Sequence, residues 1–186
     1  TIWDIDGVIY TDVEPQHVFS TYGIKNISLR LISDLGCVVD TTFQMEVYPK
    51  PSAEFETDNI CAENTLVIND LSSVPAPGLL VVSDWILTDG TVYTYNTLTS
   101  NVFTNYGMET ITLAVETQQG CQDTALLDVY IHPIPESLFS FSNICESDSA
   151  VFTDQSTVAT GLVAQWDWDF DNGQQSGLQQ PPVQGY

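Results

Sequence analysis

The residues best suited to chemistry in this chain are aspartates set two apart. Asp4 and Asp6 form one such group, and Asp167, Asp169 and Asp171 another, with Asp89 in a matching place. Paired acids can cleave a glycosidic bond. Clustered carboxylates take calcium where a shaped loop offers six to eight oxygens. Each group, however, lies in a run that leads from tryptophan to glycine: Trp3-Asp4-Ile5-Asp6-Gly7, Trp85 to Gly90, and Trp166 to Gly173. In the last run large rings alternate with carboxylates. Strict alternation puts Trp166, Trp168 and Phe170 on one face of a strand and the acids on the other. Asn172-Gly173 then closes a tight turn. Aspartates so placed serve turns and solubility. Hydrolase sites do not ordinarily recur once per repeat, so no catalytic residue and no metal ligand is assigned.

The other reactive groups also follow the repeat. Cys37, Cys61, Cys121 and Cys145 contain no C-x-x-C pair, which argues against zinc, and their regular placement fits an oxidising, extracellular setting. In an Ig-like sandwich the turn holding Cys61 and the hairpin holding Cys121 lie at opposite poles, whereas bonded cysteines need Cα atoms within about 7 Å. Bonds between neighbouring repeats, bonds within a repeat and free thiols all stay open. Asp70 and Asp154 precede a serine by two residues and are expected to cap its amide. Tyr22 and Tyr106, each before a glycine, suggest a brace like a tyrosine corner. His17 and His132 are isolated and unrepeated, and read as surface residues. Trp3, Trp85, Trp166, Trp168 and Phe170 read as core, with sugar stacking as the alternative use of such rings. There is no phosphate loop and no nucleophile elbow.

The elements that position these residues repeat at 83 or 84 residues. Phe19, Tyr22-Gly23, Leu29, Cys37, Pro49 and Pro51 match Phe103, Tyr106-Gly107, Leu113, Cys121, Pro133 and Pro135. Phe55, Cys61, Asp70 and Ser72 match Phe139, Cys145, Asp154 and Ser156; Gly90 matches Gly173, and Phe103 matches Tyr186. Self-similarity at a fixed period marks a repeat architecture. The boundaries fall at Pro49-Lys50-Pro51 and Pro133-Ile134-Pro135, where Pro-x-Pro favours a stiff, extended link. The expected organisation is the back part of one repeat in residues 1–50, a complete repeat in 51–135 and the front part of a third in 136–186. The chain thus reads as a piece of something longer. Within the complete repeat, strands are expected at 53–56, 65–69, 80–87, 91–95, 101–103, 110–116 and 126–131. Seven short strands with a turn about every ten residues indicate an Ig-like sandwich.

Composition bounds the partners. The 186 residues hold 25 Asp+Glu against three cations, Lys25, Arg30 and Lys50, for a net charge of −22. Nucleic acid and anionic membrane are excluded as partners, since phosphate contacts need cations. No apolar run approaches the roughly 18 residues of a spanning helix. The carboxylates must be offset by water, salt or divalent cations, so calcium is left open as the one cofactor and no other is expected.

These motifs together resemble the polycystic kidney disease (PKD) repeat. Trp166-Asp167-Trp168-Asp169-Phe170-Asp171-Asn172-Gly173 is similar to that family's Trp-x-Trp-Asp-Phe-Gly-Asp-Gly strand, with Asp171 where its first glycine stands. Ala150-Val151-Phe152-Thr153-Asp154-Gln155-Ser156 fits its Val-x-Phe-x-Asp-x-Ser pattern. Pro15-Gln16-His17-Val18-Phe19, Gly23 and Ile27-Ser28-Leu29-Arg30-Leu31 fit its downstream pattern. The first two copies lack the double tryptophan, and Ser72–Gly78 lacks the acidic calcium loop of some PKD repeats. The resemblance implies an all-β chain of tandem Ig-like sandwiches joined as beads by short stiff links. The cysteine layout looks like arrays in giant surface proteins of gliding and filament-bearing Bacteroidota, exported by the type IX pathway. It implies a non-enzymatic adhesin or filament module that spaces and bears load at the cell surface. Its partners would be neighbouring repeats, other copies in a filament, or surface glycans and proteins. The alternative is a carbohydrate- or protein-binding accessory module of a secreted hydrolase.

Overall fold

The computed structural model describes residues 1–94, 100–142, 145 and 148–185. Every regular element among them is a strand and none is a helix, in line with the Val, Ile, Thr and Tyr that dominate the expected strands. The chain forms two compact units. The first takes Thr1–Glu56, Ile68–Thr99 and Thr110–Leu127, the second Thr57–Val67, Ser100–Glu109 and Asp128–Tyr186. Neither Pro-x-Pro link coincides with an edge of these units.

The chain opens with β1 (Ile2–Ile5), β2 (Val8–Tyr10), β3 (Gly23–Ile32) and β4 (Val38–Val47), in the sheet order β2-β1-β3-β4. Trp3 stands opposite Tyr10 on one side and Leu29 on the other. Next come β5 (Phe55–Thr57), β6 (Ile60–Cys61), β7 (Thr65–Asp70), β8 (Leu80–Ile86), β9 (Val92–Tyr93), β10 (Ser100–Val102), β11 (Gly107–Thr117) and β12 (Gln122–His132). They pair as a three-stranded sheet, β10-β7-β5, and a five-stranded sheet, β6-β12-β11-β8-β9. The order β9-β8-β11-β12 repeats β2-β1-β3-β4 strand for strand. Last come β13 (Phe139–Phe141), β14 (Ser149–Ala150), β15 (Phe152–Asp154), β16 (Trp168–Asp169), β17 (Gln175–Ser176) and β18 (Gln184–Gly185), paired β13–β15, β14–β18 and β16–β17. The Ala150–Gln184 register of β14 and β18 is the Leu66–Asn101 register of β7 and β10 one period on.

Seven of the eight strands from β5 to β12 correspond to expected ones, although β12 begins four residues before Leu126. The addition is β6, too short to show alternation. It pairs with β12 in parallel, Ile60 opposite Ile131 and Cys61 opposite His132. Tyr95 and Tyr186, expected in a strand and as the match of Phe103, lie outside the described residues.

Trp85 of β8 is fully buried, with Phe55 of β5 edge-on to it at 5.0 Å and 80°. The two residues belong to different sheets of one unit. Their contact is where the three-stranded layer meets the five-stranded one, the arrangement of a β-sandwich. Ile111, Leu113 and Val115 alternate inward along β11, as their spacing predicts, and all are buried. The first link is pinned down: Pro49 and Pro51 are buried, Lys50 pairs with Asp123 at 3.3 Å, and the Ala53 amide donates to the same carboxylate at 3.0 Å.

Two expectations are corrected. Tyr22 and Tyr106 do not brace a core, since both rings stand about half exposed. His17 is not isolated. Its Nδ1 lies 2.9 Å from the Tyr10 hydroxyl, and its ring meets Phe19 edge-on at 4.6 Å. The sequence hides the Tyr10 contact because seven residues separate it from His17, a distance that matches no strand period.

Truncation of the central ring tests the packing. Trp85→Ala is expected to cost about 3–5 kcal/mol in urea unfolding, the usual loss for a buried aromatic. Trp3→Ala, at the matching but half-buried position, is expected to cost clearly less.

Candidate functional site

A cleft lies in the last third of the chain. β13 and β15 run side by side with Phe139, Phe141 and Phe152 on one face, and β16 brings in Trp168, followed by Phe170. Phe139 meets Trp168 at 5.6 Å and 69°. Trp168 and Phe170 lie parallel with centroids 6.0 Å apart. Phe152 packs on Phe170 at 5.3 Å. Phe139, Phe152, Trp166, Trp168 and Phe170 line a cleft of about 550 Å³. Phe170 is buried, Trp166 and Trp168 are partly buried, and Phe139 keeps 52% of its surface exposed.

Asp154 stands at the margin of the cleft with its carboxylate fully engaged. It accepts from the Ser156 amide at 2.9 Å, from Trp166 Nε1 at 3.0 Å and from Gln179 Nε2 at 3.3 Å. The hydroxyl and amide of Ser156, then Gln179 and Trp166, hold this carboxyl below the usual range. The expected amide cap is therefore present. The same corner recurs one period earlier, where the Ser72 amide donates to Asp70 at 2.8 Å. Ser72 Oγ accepts from the Glu54 amide at 3.1 Å, and Ser156 Oγ accepts from the Leu138 amide at 3.2 Å. Isolated bridges Ser52–Ser73 and Glu136–Thr157 complete the two copies.

The other aspartates named from the sequence serve turns in the same way. Asp4 accepts from the Gly7 amide at 3.1 Å, Asp89 from Thr91 at 2.8 Å and Asp169 from Asp171 at 3.2 Å. Thr91 holds Asp89 below its ordinary pKa. Gly7, Gly90 and Gly173 all have φ between 81° and 84°, the left-handed conformation that glycine adopts without strain. Asp6 and Asp171, at φ 54° and 58°, adopt it as well, and Asp6 pairs with Lys25 at 3.3 Å. Asp167 is exposed. Among the described residues no three His, Cys, Asp or Glu side chains converge on a common point for a metal ion.

The cysteines sit where the repeat puts them, all as free thiols. Cys37 and Cys121 close identical turns. Each amide donates to the hydroxyl four residues back at 3.1 Å, on Ser33 and Thr117 respectively. Cys61 ends β6 and Cys145 is exposed.

The cleft has a counterpart inside the molecule. Phe139 and Trp168 correspond to Phe55 and Trp85, which make the same edge-on contact but are 9% and 0% exposed. The same ring pair is thus covered at Phe55 and Trp85 and open at Phe139 and Trp168. Repeat matching alone pairs the residues but cannot show that one pair is covered and the other bare.

A pH series tests Asp154. Its lowered pKa means a stabilising contribution that is fully present above the unfolded carboxyl value of about 3.9 and is lost as pH falls through the lower folded value. Asp154→Ala is expected to lower stability at neutral pH. The gap to wild type, read from urea midpoints, should close only in that acid window.

No protein-family model matches the sequence, and no curated protein matches it. Among solved structures the chain is similar to the PKD1 domain of Vibrio anguillarum Epp, at 21% identity over 44% of this chain and 93% of that one, with a TM-score of 0.38. It is also similar to the fibronectin(III)-like modules of Clostridium thermocellum CbhA, at 11% identity over 71% of this chain and 77% of that one, again with a TM-score of 0.38.

Proposed function

We propose that this chain is a non-enzymatic structural and adhesive module of a large secreted or cell-surface protein. Residues 1–50, 51–135 and 136–186 would be successive PKD-like repeats of an array. Its role is to space and to bear load, in a filament or an adhesin of the kind exported to the surface of gliding Bacteroidota. The observation that carries this reading is the parallel pairing of β6 with β12, reinforced by the Ala62 amide donating to the His132 carbonyl at 2.8 Å. β6 lies near the start of residues 51–135 and β12 near their end. Tension applied at the two ends pulls parallel strands past each other, so their hydrogen bonds are loaded together. An antiparallel pair at the ends would instead open one bond at a time.

The chemistry supports the same reading. A glycosidase needs one carboxylic acid with a raised pKa. The perturbed aspartates here, Asp40, Asp89, Asp123 and Asp154, are all held below their ordinary values. The open ring cleft favours the second reading, a carbohydrate-binding accessory module. The buried counterpart at Phe55 and Trp85 weighs against it, because the same rings there have no room for a sugar.

Pulling the chain by its ends tests the proposal. Residues 51–135 are expected to give way in one abrupt step that releases about 300 Å of chain, at roughly 3.5 Å per residue. Extension without a resolved force peak of that length would overturn the load-bearing role.

A further inference from the structure

The turn after the tryptophan strand occurs three times, and its copies differ in one chemical respect. Asp6-Gly7 and Asp89-Gly90 carry an acid before the glycine, whereas Asn172-Gly173 carries an amide. Asn172 nevertheless makes the bond that Asp89 makes. Its Oδ1 accepts from the Gln174 amide at 3.0 Å, as Asp89 accepts from the Thr91 amide at 2.8 Å. The glycine nitrogens are placed differently. Gly7 donates to Asp4 Oδ1 at 3.1 Å, and Gly90 donates to the Leu87 carbonyl at 2.9 Å. The Gly173 N–H has no acceptor among the described residues. Asn172 and Gly173 are exposed, and so are Asp89 and Gly90 beside the buried Trp85. Exposure therefore belongs to the turn and does not depend on how far the neighbouring ring is covered.

We propose that Asn172 is a site of spontaneous deamidation, at which the amide becomes the acid that the other two turns already carry. The Gly173 nitrogen gives its proton to hydroxide and attacks Asn172 Cγ. A C–N bond forms, the bond from Cγ to Nδ2 breaks, and ammonia leaves. Water then opens the cyclic imide at either carbonyl, giving aspartate or isoaspartate. No electrons are transferred, and water is the only co-reactant. Glycine puts no side chain beside the attacking nitrogen, and that nitrogen is tied to no acceptor. The Gln174 N–H already on Oδ1 lies at the oxygen where negative charge develops. Every other asparagine in the chain precedes a residue with a side chain, which crowds the attack. The exchange has a structural consequence. Asn172 Nδ2 donates to Gln184 Oε1 at 3.4 Å and to the Gly185 carbonyl at 3.3 Å, tying the turn to β18. A carboxylate has no N–H to give and presents these two oxygens with further acceptors. Gln184 is only 2% exposed, so its Oε1 loses a donor that water does not readily replace. Deamidation is thus a one-way switch that frees β18 from the turn as the protein ages. This chemistry is local and holds whether or not the chain belongs to an array.

The test is peptide mapping of the whole chain after incubation at mildly alkaline pH, by mass spectrometry that separates aspartate from isoaspartate. The mass gain of an amide-to-acid exchange is expected first at Asn172, in both products, and sooner as pH rises, since hydroxide takes the glycine proton. Asn172→Gln, which would have to close a larger ring, should keep its amide over the same period. A second measurement reads the consequence. Asn172→Asp cannot donate to Gln184, so amide hydrogen exchange in β14 and β18 is expected to quicken several-fold, while exchange in β11 stays as in wild type. Conversion of another asparagine before Asn172, or equal loss of ammonia from the Asn172→Gln chain at that position, would overturn the site. Unchanged exchange in β14 and β18 would overturn the switch.

Discussion

The structure depends on closing Trp85 between two sheets. An aromatic side chain of this size buries 150–250 Å², worth about 4–6 kcal/mol at 25 cal/mol per Å². The indole N–H is buried with no acceptor among the described residues, which costs about 1–3 kcal/mol. Burial wins, but only while both sheets are present. The ring stands on β8, and Phe55, from the other layer, completes its cover. Either layer alone leaves the aromatic face partly in water, as at Trp3 and Trp168. Closing one ring is therefore a property of the pair of layers, and the 83–84-residue period is the length of chain that supplies both.

Turn chemistry places the strands that meet at this ring. Each repeat reuses two devices: a carboxylate that accepts from an amide two residues on, and a glycine at positive φ after the tryptophan strand. Asp70 and Asp154 match to within 0.1 Å in the bond to their serine amides. Such local bonds are set by sequence distance alone, so they form alike beside the buried Trp85 and beside the partly exposed Trp168. Local geometry is thus constant along the chain while burial is not.

This separation explains what could be read from the sequence. Strand positions, the inward alternation of Ile111, Leu113 and Val115, and the caps at Asp70 and Asp154 are written in spacings of two, which a reader sees directly. The sheet order of residues 1–47 was not read from the sequence, because strand positions do not say which strands are neighbours. The parallel strand β6 was not, because two residues show no period and its partner lies about seventy residues away. The contact of Tyr10 with His17 was missed for a similar reason: the two are seven residues apart, across the loop between β2 and β3, and match no period. The aromatic cleft was half legible. Trp166, Trp168 and Phe170 were named as core, but Phe139 and Phe152 were not, and a sequence does not record which rings end up covered.

The charge of −22 and the bare apolar faces look contradictory, but they act over different distances. At physiological salt the Debye length is about 8 Å, so carboxylates spread over the surface repel approaching chains only near contact, and they do so in every orientation. Apolar attraction needs matched faces within touching distance and is proportional to the area hidden. Repulsion therefore removes the many mismatched encounters, and the area term keeps the few that fit. A chain with almost no cations cannot stick by ion pairing. What remains available to it is the burial of matched apolar area.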